Sequence, residues 1–97
     1  MVARKDEVTL KEAINKFIEH YNLRIKFDER RITEHWQEIA GELIYRHTTN
    51  LFIKENVLFI EVNSSVVKQE LIFLKARLKT VINRFLGQEI IKDIKIL

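Results

Sequence analysis

The stretch NLFIKENVLFIEVNSS, residues 50–65, decides the fold. Leu51–Lys54 and Val57–Val62 are runs of β-branched and aromatic residues joined by Glu55-Asn56, the pattern of two strands around a tight turn. Asn tolerates a left-handed backbone, so the spacing predicts a hairpin over 50–63 with a three-residue loop and Asn56 at positive φ. Side chains alternate along a strand. Leu51, Ile53, Leu58, Ile60 and Val62 therefore share one face, and Phe52, Lys54, Phe59 and Glu61 the other. Ser64 or Ser65 then offers an N-cap oxygen to a helix. Behind it Val67, Leu71, Leu74, Leu78, Val81, Ile82 and Phe85 recur at helical spacing. Gly87 is placed to end that helix in a left-handed cap. Ile90 to Leu97 reads as a last strand, with Ile94 and Ile96 inward and Lys95 outward.

Upstream, residues 1–7 are charged and aperiodic, and a disordered arm is expected there, followed by a single domain over 8–97. Thr9 and Glu12 form a capping box. Leu10, Ala13, Ile14, Phe17, Ile18 and Tyr21 then make an amphipathic helix ending near Tyr21–Asn22. Residues 23–27, Leu-Arg-Ile-Lys-Phe, alternate and argue for a short strand, with a single helical turn as the rival. Ile32, Trp36, Ile39, Ala40, Leu43 and Ile44 form a second helical stripe in which Trp36 belongs to the core. Gly41 interrupts that stripe: either the helix breaks there or a neighbour packs too closely for a Cβ. The order α-α-β-β-α-β gives an α+β fold with helices covering one face of a three-stranded sheet.

Charge is distributed unevenly. Residues 1–63 hold ten Lys/Arg against eleven Asp/Glu, and residues 64–97 seven against three. Ser65 to Leu86 alone carries Lys68, Lys75, Arg77, Lys79 and Arg84 with Glu70 as its one acid. Concentrated positive charge on one element attracts polyanions. Wound at about 100° per residue, Lys68, Lys75 and Lys79 fall on one shoulder of the apolar stripe. Arg77 and Arg84, with Phe73, fall on the other. Such a helix can follow several phosphates, or its charges can be solvated while their stems cover the core edge. Ile72, Phe73 and Ala76 lie away from the stripe, where Phe73 is a candidate for a base or partner contact unless it packs on the arm or second helix. Phe52 and Phe59, near Lys54 and Lys95, could stack unpaired bases or be buried in an interface. Arg46 and His47 at the helix-to-strand junction are further phosphate candidates.

Other chemistries lack their residues. The chain has no Cys, so it has no disulfide and no thiolate zinc site. His20, His35 and His47 have no metal-ligand spacing. Two isolated glycines make no phosphate-cradling loop, and no carboxylate pair or Ser/His/Asp set stands at catalytic spacing. No enzyme, cofactor, metal or small-molecule substrate is expected. No apolar run approaches the ~20 residues that span a bilayer. The N-terminus lacks a secretory h-region, so a cytoplasmic protein is expected.

Trp36 followed by Gly41, then His47-Thr48-Thr49, the hairpin, Ser64-Ser65, Gln69-Glu70-Leu71 and Gly87 before a short strand resemble the DciA family over about residues 8–97. The resemblance implies a KH-like domain. It also implies a bacterial replication protein that binds DNA and assists loading or operation of the replicative helicase. Its Trp, Gly and His-Thr positions carry over to Trp36, Gly41, His47 and Thr48, and its pattern makes residues 23–27 a helical turn. Three features depart from it. Larger members have an additional flexible segment implicated in helicase contact, and this chain ends after its last strand. The zinc ribbon of some relatives is excluded by the absence of Cys. The Gly-x-x-Gly clamp of KH domains is missing.

The resulting expectation is a non-catalytic nucleic-acid-binding domain, with DNA favoured over RNA and the replicative helicase as partner. Lys68, Lys75, Arg77, Lys79 and Arg84 lead, Lys54, Arg46 and His47 follow, and Phe73, Phe52 and Phe59 are stacking or partner contacts. The alternative is a protein-interaction adaptor that works through those exposed aromatic residues without touching nucleic acid.

Overall fold

The computed structural model describes the backbone of residues 2–97 and side chains from Thr9 onward. The element order is α1 (Val2–Glu34), α2 (Trp36–Ala40), α3 (Glu42–His47), β1 (Thr48–Lys54), β2 (Val57–Val62), α4 (Ser65–Leu86) and β3 (Asp93–Ile96). The fold is α+β, with the expected order α-α-β-β-α-β once the second helix is divided. The disordered arm expected at residues 1–7 falls in the stretch whose side chains lie outside the described residues.

The first helix does not end at Tyr21, and residues 23–27 are not a strand. They are helical, as the family pattern implies, but as part of a single helix running to Glu34 instead of a turn between two helices. Neither Gly nor Pro occurs before Gly41, so nothing breaks the backbone ladder. Arg24 lies 3.7 Å from Asp28 and Arg30 3.0 Å from Glu34, pairs of the i,i+4 type that only a helix brings together. The alternation at 23–27 is real in sequence, but only Ile25 turns toward the body. Leu23 and Phe27 remain exposed.

The helix stops at His35, whose φ of −112° and ψ of 16° leave the helical region. The second stripe then divides at Gly41, with φ 92° and ψ 162°, a conformation available essentially to Gly alone. A Cβ there would meet nothing within 4 Å. The glycine therefore serves backbone conformation and not close packing. Trp36, 2% exposed, donates its indole N–H to Thr48 Oγ1 at 2.9 Å. Thr48 Oγ1 in turn donates to Ile44 O at 2.6 Å. This relay ties α2, α3 and β1 together.

β1 and β2 pair antiparallel, and β2 and β3 parallel, giving the sheet order β1-β2-β3. Lys54 pairs with Val57, so the turn has two central residues and not the expected three-residue loop. Glu55 at φ 52° and Asn56 at φ 64° make the type I′ geometry that matches strand twist. The face assignment holds. Ile53, Leu58 and Ile60 are buried, while Phe52 and Phe59 stack on the outer face with ring centroids 4.8 Å apart.

α4 is capped by Ser64, whose side chain accepts from Val67 N, and ends at Gly87 with φ 80°. Its buried stripe is Val67, Leu71, Leu78, Ile82 and Leu86. Val81 is exposed, contrary to expectation, and Leu86 takes the deep position. β3 begins at Asp93, and Ile90 and Ile91 are buried in the loop before it. Asn83 holds that loop: its Oδ1 accepts from Ile90 N and Ile91 N, and its Nδ2 donates to Ile91 O. Glu29 Oε2 accepts from Ile53 N at 2.9 Å, covering part of the β1 edge, which would otherwise offer a free donor.

Candidate nucleic-acid interface

Because β2 and β3 run parallel, α4 is the crossover between them, and one of its shoulders lies beside β3. That shoulder carries Lys75 and Lys79. Together with Ile72, Phe73, Ala76, Asp93 and Ile94 they line an open groove of about 360 Å³. Lys68 lies two turns before Lys75 on the same phase, near the start of α4, and is exposed. Arg77 and Arg84 are exposed on the opposite shoulder, and Arg84 lines a second open groove with Lys79, Asn83 and Gly87. The five bases thus divide into a lysine row beside β3 and an arginine pair across the helix.

Lys75 Nζ stands 3.4 Å from Asp93 Oδ1. The Asp93 carboxyl is held below the ordinary carboxylate range chiefly by accepting the Ile94 N–H; desolvation opposes this, and the charge and hydrogen bond of Lys75, with the charge of Lys79, add to the lowering. Lys79 Nζ donates to Lys92 O at 3.3 Å, which anchors the chain without neutralising it. Among the described residues no carboxylate lies within ion-pair distance of Lys68, Lys79, Arg77 or Arg84. Four of the five charges are therefore open to an external anion. The fifth is shared.

The remaining candidates are scattered. Lys54 is exposed and sits in the row Lys54–Val57–Asp93 across the sheet, at the same end as the Lys75 pair. Arg46 is paired with Glu42 at 3.2 Å. The His47 ring nitrogen is 3.0 Å from Asn63 Oδ1, at the opposite end of the sheet where Asn63 N donates to His47 O. Phe73 is 88% exposed, so the second helix does not cover it; the arm at residues 1–7 lies outside the described side chains. Phe52 and Phe59 are half-buried against each other and in register with Lys95. Sequence reading missed Asp93 and Asn83, and it saw Asn56 only as a turn residue, without its long-range bonds. Asn56 accepts from Tyr21 Oη and donates to Ile90 O. Each makes a contact across seven residues or more, and no local pattern announces it.

These features define a small α+β domain in which a basic crossover helix flanks the last strand of a mixed sheet. The chain belongs to the DciA family: the model described as "Dna[CI] antecedent, DciA" matches residues 9–96. The family is linked to loading of the bacterial replicative helicase and is not a family of catalysts. No curated protein and no solved structure matches the chain. No helix of the described residues is long and apolar enough to cross a membrane.

Proposed function

We propose that this domain binds DNA without catalysis, through α4 and the groove beside β3, and that it does so in contact with the replicative helicase. The observation that carries the reading is the lysine row Lys68, Lys75 and Lys79, lying on one phase of a 22-residue helix and opening onto a groove that also exposes Ile72 and Phe73. Phosphates would neutralise the lysines and release counterions, while Phe73 offers a ring face to an unpaired base. Arg77 and Arg84 would extend the field across the helix, with Lys54 as a further contact at the same end of the sheet. Few Asn, Gln or Arg are grouped to read base edges, so little sequence preference follows.

The test is a titration of labelled single- and double-stranded oligonucleotides at several ionic strengths, repeated with purified helicase. Lys75→Glu with Lys79→Glu, and separately Arg77→Glu with Arg84→Glu, should weaken binding with the melting temperature preserved. Unchanged affinity in both double variants at about 50 mM salt, where electrostatic binding is strongest, would remove α4 from the site. The exposure of Phe73 favours a second reading, an adaptor that docks a protein. Apolar docking of that kind is nearly insensitive to salt, whereas phosphate binding weakens steeply.

A further inference from the structure

α1 is longer than the body it serves. Asp28 and Ile32 are 1% and 0% exposed against the body, yet every side chain from Thr9 to His20 is exposed, about 18 Å of helix at 1.5 Å per residue. The molecule is correspondingly drawn out to 63 × 22 × 20 Å. This overhang is not a polar spacer. Leu10, Ile14, Phe17, Ile18 and Tyr21 are 66, 53, 70, 52 and 43% exposed. They lie on the phase of Ile25, Asp28 and Ile32, so the face that buries itself in the body continues beyond it uncovered.

We propose that this face pairs antiparallel with the same face of a second copy of the chain. Three observations select that occupant. Leu10, Ile14, Phe17 and Tyr21 are spaced 4-3-4, the seam of a two-stranded coil. Set antiparallel about a two-fold axis between residues 15 and 16, the seam complements itself: Leu10 meets Tyr21 of the partner copy and Ile14 meets Phe17. One flank brings the Lys11 stem to Ile18 and the other brings Ala13 to His20, so no like charges meet and no carboxylate is buried. Second, the body occupies the seam face at residues 25–32, so a parallel partner would drive body into body, whereas an antiparallel one puts the two bodies at opposite ends. Third, at the base of the overhang a crevice of about 330 Å³ opens between Phe17, Tyr21 and Ile25 of α1 and Asn56 and Ile90 of the body. Leu10 of a second copy, opposite Tyr21, arrives at its mouth.

The area suits a weak, specific dimer. Five large side chains exposed by about half contribute roughly 500 Å² per copy, or about 1,000 Å² for the pair, near the lower bound for a specific interface. Sedimentation of the intact chain across about 1 to 200 μM should show the mass rising from 11.7 kDa toward twice that value as protomer concentration increases. Phe17→Glu should raise the dimer dissociation constant by at least about 30-fold with the circular dichroism of the body retained, while Lys16→Glu, on the outward side, should leave it unchanged. With no native Cys, geometry can be read from cross-links. Leu10→Cys combined with Tyr21→Cys should give a disulfide-linked dimer, and Leu10→Cys alone should not. A chain that stays monomeric throughout overturns the proposal, as does a Phe17→Glu variant that dimerises like the parent. Ready self-linking of Leu10→Cys overturns the antiparallel arrangement. Hydrogen-exchange protection of residues 10–21 that appears only on adding helicase to a monomeric chain would assign the face to the helicase instead.

Discussion

Replacing Asp93 by Asn should strengthen DNA binding and steepen its salt dependence, because Asp93 is the carboxylate that competes with phosphate for the lysine row. The substitution preserves local structure: Asp93 Oδ1 accepts from Ile94 N at 2.8 Å, and Asn keeps that oxygen. It removes the negative charge 3.4 Å from Lys75 Nζ. Each phosphate contact on single-stranded DNA contributes about −0.7 to the slope of log K against log salt. With Lys75 neutralised, Lys68 and Lys79 give the row a slope near −1.4, and with Lys75 freed the slope approaches about −2.1. The advantage of Asp93→Asn should therefore be roughly 2.5-fold larger at 50 mM than at 200 mM salt. Fluorescence anisotropy with a labelled single strand, at four or more salt concentrations, reads both quantities. Lys75→Glu with Lys79→Glu leaves Lys68 alone in the row and should bring its share of the slope to about −0.7. The sign with pH is fixed. A carboxyl held below its ordinary range keeps the pair intact above that range and loses it as the pH falls through the depressed value. The Lys75–Asp93 pair should then add no pH dependence near neutrality. If Asp93→Asn alters neither affinity nor slope while its melting temperature is unchanged, the lysine row does not meet phosphate.

Three further outcomes concern the frame that holds the site. Asn83→Ala removes three hydrogen bonds to Ile90 and Ile91; Ile90 N keeps its bond to Gln88 O, whereas the Ile91 N–H loses its acceptor, and a loss of about 1–3 kcal/mol in urea unfolding is expected. Gly41→Ala has room for its methyl but must hold φ 92° and ψ 162°, so it should cost about 1–3 kcal/mol, and a variant as stable as the parent would show that the α2–α3 break can relax. Thr48→Val breaks the relay between Trp36 and Ile44 without changing volume much, and should lower stability by about 1–3 kcal/mol, read by thermal unfolding with Trp36 fluorescence as the probe.

Much of the body was legible because its signals are local. The alternation of Leu51–Val62, the Ser64 cap and Gly87 each act within a few residues, and the hairpin and α4 follow from them. The turn shape was less legible. Glu55 at φ 52° gives no sequence warning, and the register across Lys54 and Val57 imposes it. The length of α1 was misread since period two at residues 23–27 looks the same whether or not a neighbouring strand exists to pair with it. The substitution of Leu86 for Val81 in the core depends on how α4 rolls against the loop 87–92, which side-chain bonds from Asn83, Asn56 and Lys79 help to fix. The residues that carry the family likeness hold the frame in this structure. Trp36 and Thr48 form the relay, Gly41 makes the break, and His47 meets Asn63. The lysine row is legible as charge, but its division by Asp93 is a contact across eighteen residues and has no local trace.

A glycine-free and proline-free α1 behaves as a ruler with a phase. The bearing of Leu10 and Phe17 relative to the sheet is set by a residue count, since each residue turns the rod by about 100° and advances it by about 1.5 Å. One residue inserted after Tyr21 would swing the tip a quarter-turn and more away from its present heading, whereas seven would return it to within about 20° some 10 Å further out. Lengthening of this segment should therefore be tolerated in whole double turns and penalised in between.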